Sequence, residues 1–446
     1  MKLNKYLLMA AMGLGLVACT ENDLVEGGDS NGAQNEGTTY VGFTIDFGEM
    51  GTRAATISTT PGTDAESEVT TVYALLTNKD QDVIQNTYLM KPYKYGETGS
   101  EKVKYMFATS PGTYDLYVVV NPDKDLSVED NKPSSINEYL KTGVTLGVAT
   151  ITTENEFMMS STEETEVYIQ DNVSKTDAKN GTDATTNNFT VNVERVTAKV
   201  TMTCANPILT DKSGGEAGGT LNSASFNLKN RALKSTRMAV STSLNLDYKT
   251  EGNFESPGDL YSITMSESDK SKVASVYCLE NIQANYDKGG NITYASLSTV
   301  FIPSKVVKCD DVDNGGAKAD FNDNSNVATF RVVTKGTLSG AYILESDLTA
   351  YKNSNEDKLP AGVEEVSEPY TNGVCWFGPI WVGENGSSYA IERNHWYNLN
   401  ITGITLPGSP SEIIPDPEIP PHQATNVAIT LTVEPWTTVD RNIDLQ

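Results

Sequence analysis

Thr39-Tyr40-Val41-Gly42-Phe43-Thr44-Ile45-Asp46-Phe47 alternates without a break. Val41, Phe43, Ile45 and Phe47 fall on one face, and Tyr40, Gly42, Thr44 and Asp46 on the other. A period of two marks a strand with one buried face. Behind it come Gly48, Gly51 and Thr52, then Arg53, the sole basic residue between Cys19 and Lys79. Such a setting is flexible and exposed, open to a trypsin-like or arginine-specific protease. Cleavage between Arg53 and Ala54 would detach a core strand from its own domain.

Working outward, the chain has 446 residues, enough for two or three domains with substantial cores. Tyr (21) outnumbers Phe (11) and β-branched residues are frequent, which favours sheets. A formal charge of −26 argues against nucleic acid as a partner, since phosphate recognition needs clustered Lys and Arg. The acidity reads as surface solubility and mutual repulsion.

Upstream, Lys2 and Lys5 precede the apolar run Leu7 to Val17, followed by Leu16-Val17-Ala18-Cys19. The run is too short for a stable membrane-spanning helix. It resembles a bacterial lipoprotein signal, with residues 1–18 removed and a diacylglycerol carried on the Cys19 thiol. The acidic residues Glu21, Asp23, Glu26 and Asp29 are similar to the export tract of surface lipoproteins in Bacteroidetes. Four further cysteines, Cys204, Cys278, Cys309 and Cys375, show no metal-type spacing. They read as buried core cysteines, with pairing left open.

Downstream, strands are expected over Val69–Thr77, Val83–Leu89, Val103–Ala108 and Tyr114–Asn121, with Ser110-Pro-Gly-Thr113 as a turn. One helix is expected over Ser134–Lys141, where Ser135 and Glu138 have capping-box spacing. Strands resume over Thr145–Ile151 and Phe157–Met159, and Asp171–Asn188 reads as a polar loop. From Phe189 to Met202 the alternation predicts one long strand at the seam between two halves. Further strands are expected over Ala224–Leu228, Val273–Leu279, Ala295–Ile302, Ala328–Thr334, Trp376–Val382 and His395–Ile404. Many short strands separated by turn signals imply two tandem β-sandwiches, placed at 54–188 and 189–406.

The C-terminus carries the second unusual pattern. Pro407, Pro410, Pro415, Pro417, Pro420 and Pro421 make a semi-rigid spacer, about 45 Å long if fully extended. Then Val427, Ile429, Leu431 and Val433 alternate with polar or small residues, and Trp436, Val439, Ile443 and Leu445 continue the apolar supply. An amphipathic strand on a stiff arm reads as a donor strand for another chain. The alternative is that it folds back as the last strand of the second half.

Taken together, the chain resembles a fimbrillin of Bacteroidales, the subunit of type V pili. The resemblance rests on the lipobox at Cys19, Arg53-Ala54 after the first strand, Gly112-Thr-Tyr-Asp-Leu-Tyr-Val-Val-Val-Asn121 and Val193-Glu-Arg-Val-Thr-Ala-Lys-Val200. Arg393-Asn-His-Trp-Tyr-Asn-Leu-Asn-Ile401 and Val433-Glu-Pro-Trp436 complete it. It implies transthyretin-like β-sandwich domains with few short helices and an extended C-terminal donor strand. It also implies that an arginine-specific protease of the gingipain type removes the lipidated leader (19–53) with its strand. The emptied groove then accepts the C-terminal strand (within 407–446) of the next copy. Partners implied are other pilins in a filament, the protease, the outer membrane before processing, and an unnamed surface receptor.

Other chemistries find little support. Only His395 and His422 are present, and no nucleophile, zinc, P-loop or dinucleotide motif occurs, so no enzyme and no cofactor are expected. Asp310-Asp-Val-Asp-Asn-Gly-Gly316 departs from calcium-loop spacing and reads as an acidic turn. Trp376, Phe377 and Trp381 could stack on a sugar, the basis of an alternative reading as a membrane-retained glycan-binding lipoprotein, although alternation assigns at least two of them to a core.

Overall fold

The computed structural model describes residues 38–47, 60–61, 63, 65–95, 102–203, 218–241, 243–255, 261–263, 275–312, 319–321, 327–383, 389–404, 407–421 and 427–437. The fold is mostly β with few short helices. Its opening strand, Thr39–Asp46, lies in the interior of a sheet, between two neighbours. It runs parallel to Asn188–Arg195, with Gly42 opposite Asn188 and Asp46 opposite Asn192. On its other side it runs antiparallel to Lys102–Thr109, with Thr39 opposite Thr109 and Phe43 opposite Tyr105.

The sheet continues through Met159–Ser161, Gly112–Val120, Val72–Asn78 and Ile84–Leu89 at one end, and Lys91–Tyr95 at the other. It curls so that both arms share one core. Val41, Phe43, Tyr105, Phe107 and Val191 pack with Val72, Ala74, Leu76, Leu116, Val118 and Val120. Its opposite face is covered by Leu126, Ile136, Tyr139, Leu140 and Ile151, and by Ala232, Met238 and Leu279 from the second half. The expected helix forms a wide turn over Asn137–Lys141, and the Glu138 N–H donates to Ser135 Oγ at 3.2 Å as the capping spacing predicts.

The long strand expected over 189–202 is two strands. Asn188–Arg195 belongs to the first sheet, and Thr197–Thr203 pairs with Ser275–Leu279 and His395–Ile404 in a second. Val196, fully buried, lies between them. A single ladder cannot serve two sheets, so the chain breaks its pairing there, and its apolar positions change phase from Val191 and Val193 to Val196, Ala198, Val200 and Met202. The second sheet faces a third, ordered Tyr261–Ile263, Gly219–Lys229, Tyr294–Pro303 and Val374–Trp381. Val200, Met202, Leu399 and Ile401 meet Phe226, Leu297, Phe301 and Phe377 between the two layers.

Three local expectations need correction. Thr145–Ile151 is largely a helical turn, Val148–Ile151, after only two residues of strand. Asp171–Asn188 contains the short helix Lys175–Asn180, capped by Ser174, whose side chain accepts from the Asp177 N–H. The ten-residue helix Glu345–Ser354 was not anticipated, because only Leu348 and Tyr351 on it are buried and its apolar stripe is thin.

Phe43 has no exposed surface and stacks on Tyr105 at 5.7 Å between ring centres. Phe43→Ala should therefore destabilise the uncut chain by about 3–5 kcal/mol in denaturant titration.

Candidate functional site

The site is built around the seat of the first strand. Val41 and Phe43 are wholly buried, and Ile45 and Phe47 pack against the same core. Two neighbouring ladders and an apolar floor thus define a trench one strand wide. Its outer face is also covered, by the segment carrying helix Lys175–Asn180. A Cβ added to Gly42 would lie 2.6 Å from the Ala178 carbonyl oxygen and 2.8 Å from Lys104 Cδ. Lys104, 2 % exposed, donates its ammonium to the carbonyls of Ala178 (3.4 Å) and Gly181 (2.5 Å).

Asn187 clasps the beginning of the strand. Its side-chain amide donates to Thr39 Oγ1 at 3.1 Å and to the Tyr40 carbonyl at 3.0 Å, while its backbone carbonyl accepts from the Gly42 N–H at 3.0 Å. Asn187 sits at φ 51°, a left-handed conformation that asparagine tolerates better than most residues. The Val173 N–H also donates to Thr39 Oγ1, at 3.1 Å.

Downstream of the first strand the chain is bolted to the seam. Lys199 Nζ lies 2.7 Å from Glu66 Oε1, and the Tyr277 hydroxyl donates to the same oxygen at 2.6 Å. The Thr63 N–H donates to Glu66 Oε2 at 2.6 Å, and Lys199 also sits 4.0 Å from the Trp396 ring centre, a cation–π contact. Arg195 donates to the Glu66 carbonyl (3.0 Å), Ser67 Oγ (3.1 Å) and Asn394 Oδ1 (3.2 Å). Burial alone would raise the Glu66 carboxyl. The Lys199 charge, with hydrogen bonds from Lys199, Tyr277 and Thr63, outweighs it and holds Glu66 below the ordinary value of 4.5.

The C-terminal strand has a local sheet to join, which corrects the picture of an arm held away from its fold. Val427–Thr437 runs antiparallel to His395–Ile404, from Val427 opposite Ile404 to Pro435 opposite His395. Thr60–Pro61 pairs with its far end at Trp436 and Thr437. The proline-rich stretch before it lies on the body. Proline cannot donate, but the carbonyls of Pro417 and Ile419 accept from the N–H groups of Gly290 (3.0 Å) and Gly289 (2.8 Å). Ser409 and Trp376 exchange two backbone bonds of 2.8 Å, and Glu412 pairs with Lys229 at 2.9 Å.

Among the remaining sequence-derived residues, Cys278, Cys309 and Cys375 are buried and unbridged. Phe377 and Trp381 are core residues at 1 % and 3 % exposure. His395 opens the strand beside the terminal one, with Nδ1 2.7 Å from the Arg393 carbonyl oxygen. Asp310 and Asp311 lie in the helical turn Cys309–Val312. Cys19, Arg53, Ala54, Cys204, His422, Val439, Ile443 and Leu445 lie outside the described residues, as do the side chains of Val427, Ile429, Leu431, Val433 and Trp436.

The family model described as "Major fimbrial subunit protein type IV, Fimbrillin, C-terminal" matches residues 368–442, the stretch that holds the strand pair just described. Over these residues the chain is similar to the fimbrillin family. Solved structures similar to it include a fimbrilin from Porphyromonas gingivalis W83, at 18 % identity, covering 90 % of this chain and 99 % of that one with a TM-score of 0.48. The tip fimbrial protein Mfa3 from Porphyromonas gingivalis, with C-terminal truncation, is similar at 13 % identity, 90 % and 100 % coverage and a TM-score of 0.43. No curated protein sequence matches the chain.

Sequence reasoning passed over Glu66, Asn187 and the charged pair Arg195 and Lys199 as site residues. The available signal was two cations in Val193–Val200, a stretch that otherwise reads as a buried strand. Glu66→Gln would leave Lys199 charged in the seam without its counter-ion, at a cost of about 3–5 kcal/mol measured by denaturant unfolding at pH 7. Because the folded Glu66 value is depressed, its contribution is present above 4.5 and is lost as pH falls through the lower folded value. The difference between Glu66→Gln and the parent should accordingly shrink in acid.

Proposed function

We propose that this chain is a structural pilin, a stalk subunit of a cell-surface fimbrium used in adhesion, which polymerises by protease-triggered strand exchange. The observation that carries this reading is the position of the first strand. It fills the interior of a sheet, and the only basic residue between Cys19 and Lys79 follows it within a few residues. Cleavage at Arg53-Ala54 by an arginine-specific protease releases the lipidated leader together with Thr39–Phe47. Two ladders and an apolar floor then lose their occupant, while Thr63–Ser67 stays bolted to Lys199, Arg195 and Tyr277.

The donor is the terminal strand of the next copy. Parked in its own chain, among the described residues it has its long ladder with His395–Ile404 and a short contact with Thr60–Pro61. In the trench it gains a full ladder on each side and buries Val427, Ile429, Leu431 and Val433. Four such side chains contribute roughly 6–12 kcal/mol before ordering costs. Donor and acceptor surfaces differ, so the contact is heterologous and propagates as an open filament. Before processing, the lipid on Cys19 holds the precursor at the outer membrane, and the leader is both anchor and plug. A chain carrying both a removable first strand and a donor suits a stalk position and a structural rather than catalytic role.

Incubation with trypsin-type protease should yield protein beginning at Ala54 that forms heat-labile ladders on gels. Arg53→Ala should abolish the ladders, and so should deletion of residues 427–446. Undiminished polymerisation of the first variant would reject the cleavage step, and of the second, the donor assignment.

A further inference from the structure

We infer that the terminal strand is an in-register mimic of the strand it replaces, entering the neighbour's trench in the same direction with Val427 in the place of Val41. This rests on the strand-exchange reading and adds the register to it. Thr39-Tyr-Val-Gly-Phe-Thr-Ile-Asp-Phe47 and Thr425-Asn-Val-Ala-Ile-Thr-Leu-Thr-Val433 share one pattern, position by position. Valine matches valine at 41 and 427. Phe43, Ile45 and Phe47 are matched by Ile429, Leu431 and Val433, and threonine recurs at 39/425 and 44/430.

The trench itself selects this register. Its outer wall closes over Gly42, where a Cβ meets the Ala178 carbonyl oxygen at 2.6 Å. The incoming strand must present its smallest outward residue there, and Ala428 is the only small one among the outward positions 428, 430, 432 and 434. Ala428 itself requires the Ala178 carbonyl to withdraw, with Asn188 Oδ1 and Lys104 Cδ also at 2.8 Å, and every larger outward residue requires more. Moving the donor two residues one way places Thr430 against that wall and Pro435 at the Phe47 position. Moving it two residues the other way places Thr425 in the apolar floor at the Val41 position. A one-residue slip turns every apolar side chain outward.

At the strand's start, Thr39 Oγ1 accepts from the Val173 N–H and the Asn187 amide, both at 3.1 Å. The register brings the Thr425 hydroxyl to these donors. Further along, Thr44 Oγ1 lies 3.3 Å from Thr190 Oγ1, and these two residues are register partners in the parallel ladder. Thr430 takes over that position opposite Thr190 of the receiving subunit.

Cysteine pairs read this register directly. Full-length precursors carrying Thr190→Cys with Thr430→Cys, Ala428→Cys or Thr432→Cys are cut after Arg53, allowed to polymerise and mildly oxidised, with Thr190→Cys alone as background. The 190/430 pair should give intersubunit disulfides at least tenfold above the other two, since partner Cα atoms in a ladder fall in the bridging range of about 4.4–6.8 Å. In parallel, Ala428→Phe should slow assembly at least tenfold, whereas Thr432→Phe, at the exposed Asp46 position, should not. Unchanged melting of both uncut variants would rule out misfolding. Strongest cross-linking at 428 or 432, in polymers that still require residues 427–446, overturns the register and leaves strand exchange standing. Polymers that form without residues 427–446 overturn both.

Discussion

One constraint organises this molecule: a strand in the interior of a sheet is hydrogen-bonded on both sides and cannot leave without exposing two edges. Thr39–Asp46 is such a strand, and it is also the first element among the described residues. Interior position makes it structurally indispensable, whereas terminal position makes it topologically removable. A vacancy there exposes an apolar floor lined by Tyr105, Phe107 and Val191 and leaves unpaired backbone along Lys102–Thr109 and Asn188–Arg195. Both features favour capture of another strand, because edge pairing supplies direction and buried side chains supply most of the net stabilisation.

Losing an interior strand would unfold many domains, and under the proposed exchange the buried charges at the seam would be what holds the rest of this one in place. Lys199 and Arg195 sit on either side of the break at Val196 and grip Glu66 and Ser67, the chain just downstream of the removable segment. Arg393 adds a second tie, donating to Glu280 at 3.1 and 3.2 Å and to the Thr236 carbonyl at 3.0 Å. An apolar layer through Tyr73, Tyr117, Met238 and Leu279 joins the two halves on the face away from the trench. Buried ion pairs add little net stability over apolar packing, but breaking one is costly. They therefore suit a role in fixing where the chain stays put.

Much of this was legible in the sequence because half-buried strands impose a period of two. The first strand shows it from Val41 to Phe47, and the terminal strand from Val427 to Val433. The break at Val196 leaves one trace in the sequence, a change of phase from Phe189, Val191 and Val193 to Val196, Ala198, Val200 and Met202, but the change of pairing partners is not legible there. Lys199 was missed because a charged residue within an alternating run reads as solvent-facing, and Glu66 because it lies in an acidic turn, and only tertiary packing brings the two together. The parked position of the terminal strand was legible only as the alternative of folding back as the last strand of the second half, because alternation does not say which sheet a strand joins. The proline-rich stretch before it meets the amides of Gly289 and Gly290 through its carbonyls, contacts that composition cannot anticipate.

The most direct test of the central claim is backbone hydrogen exchange of residues 427–433, compared between uncut monomer and assembled filament. Paired mainly along His395–Ile404 in the monomer, these amides should exchange at least a hundredfold more slowly once the strand is held on both sides in a neighbouring subunit. Exchange in the filament at the monomer's rate would mean that the strand never left its own sheet, and the account would be wrong.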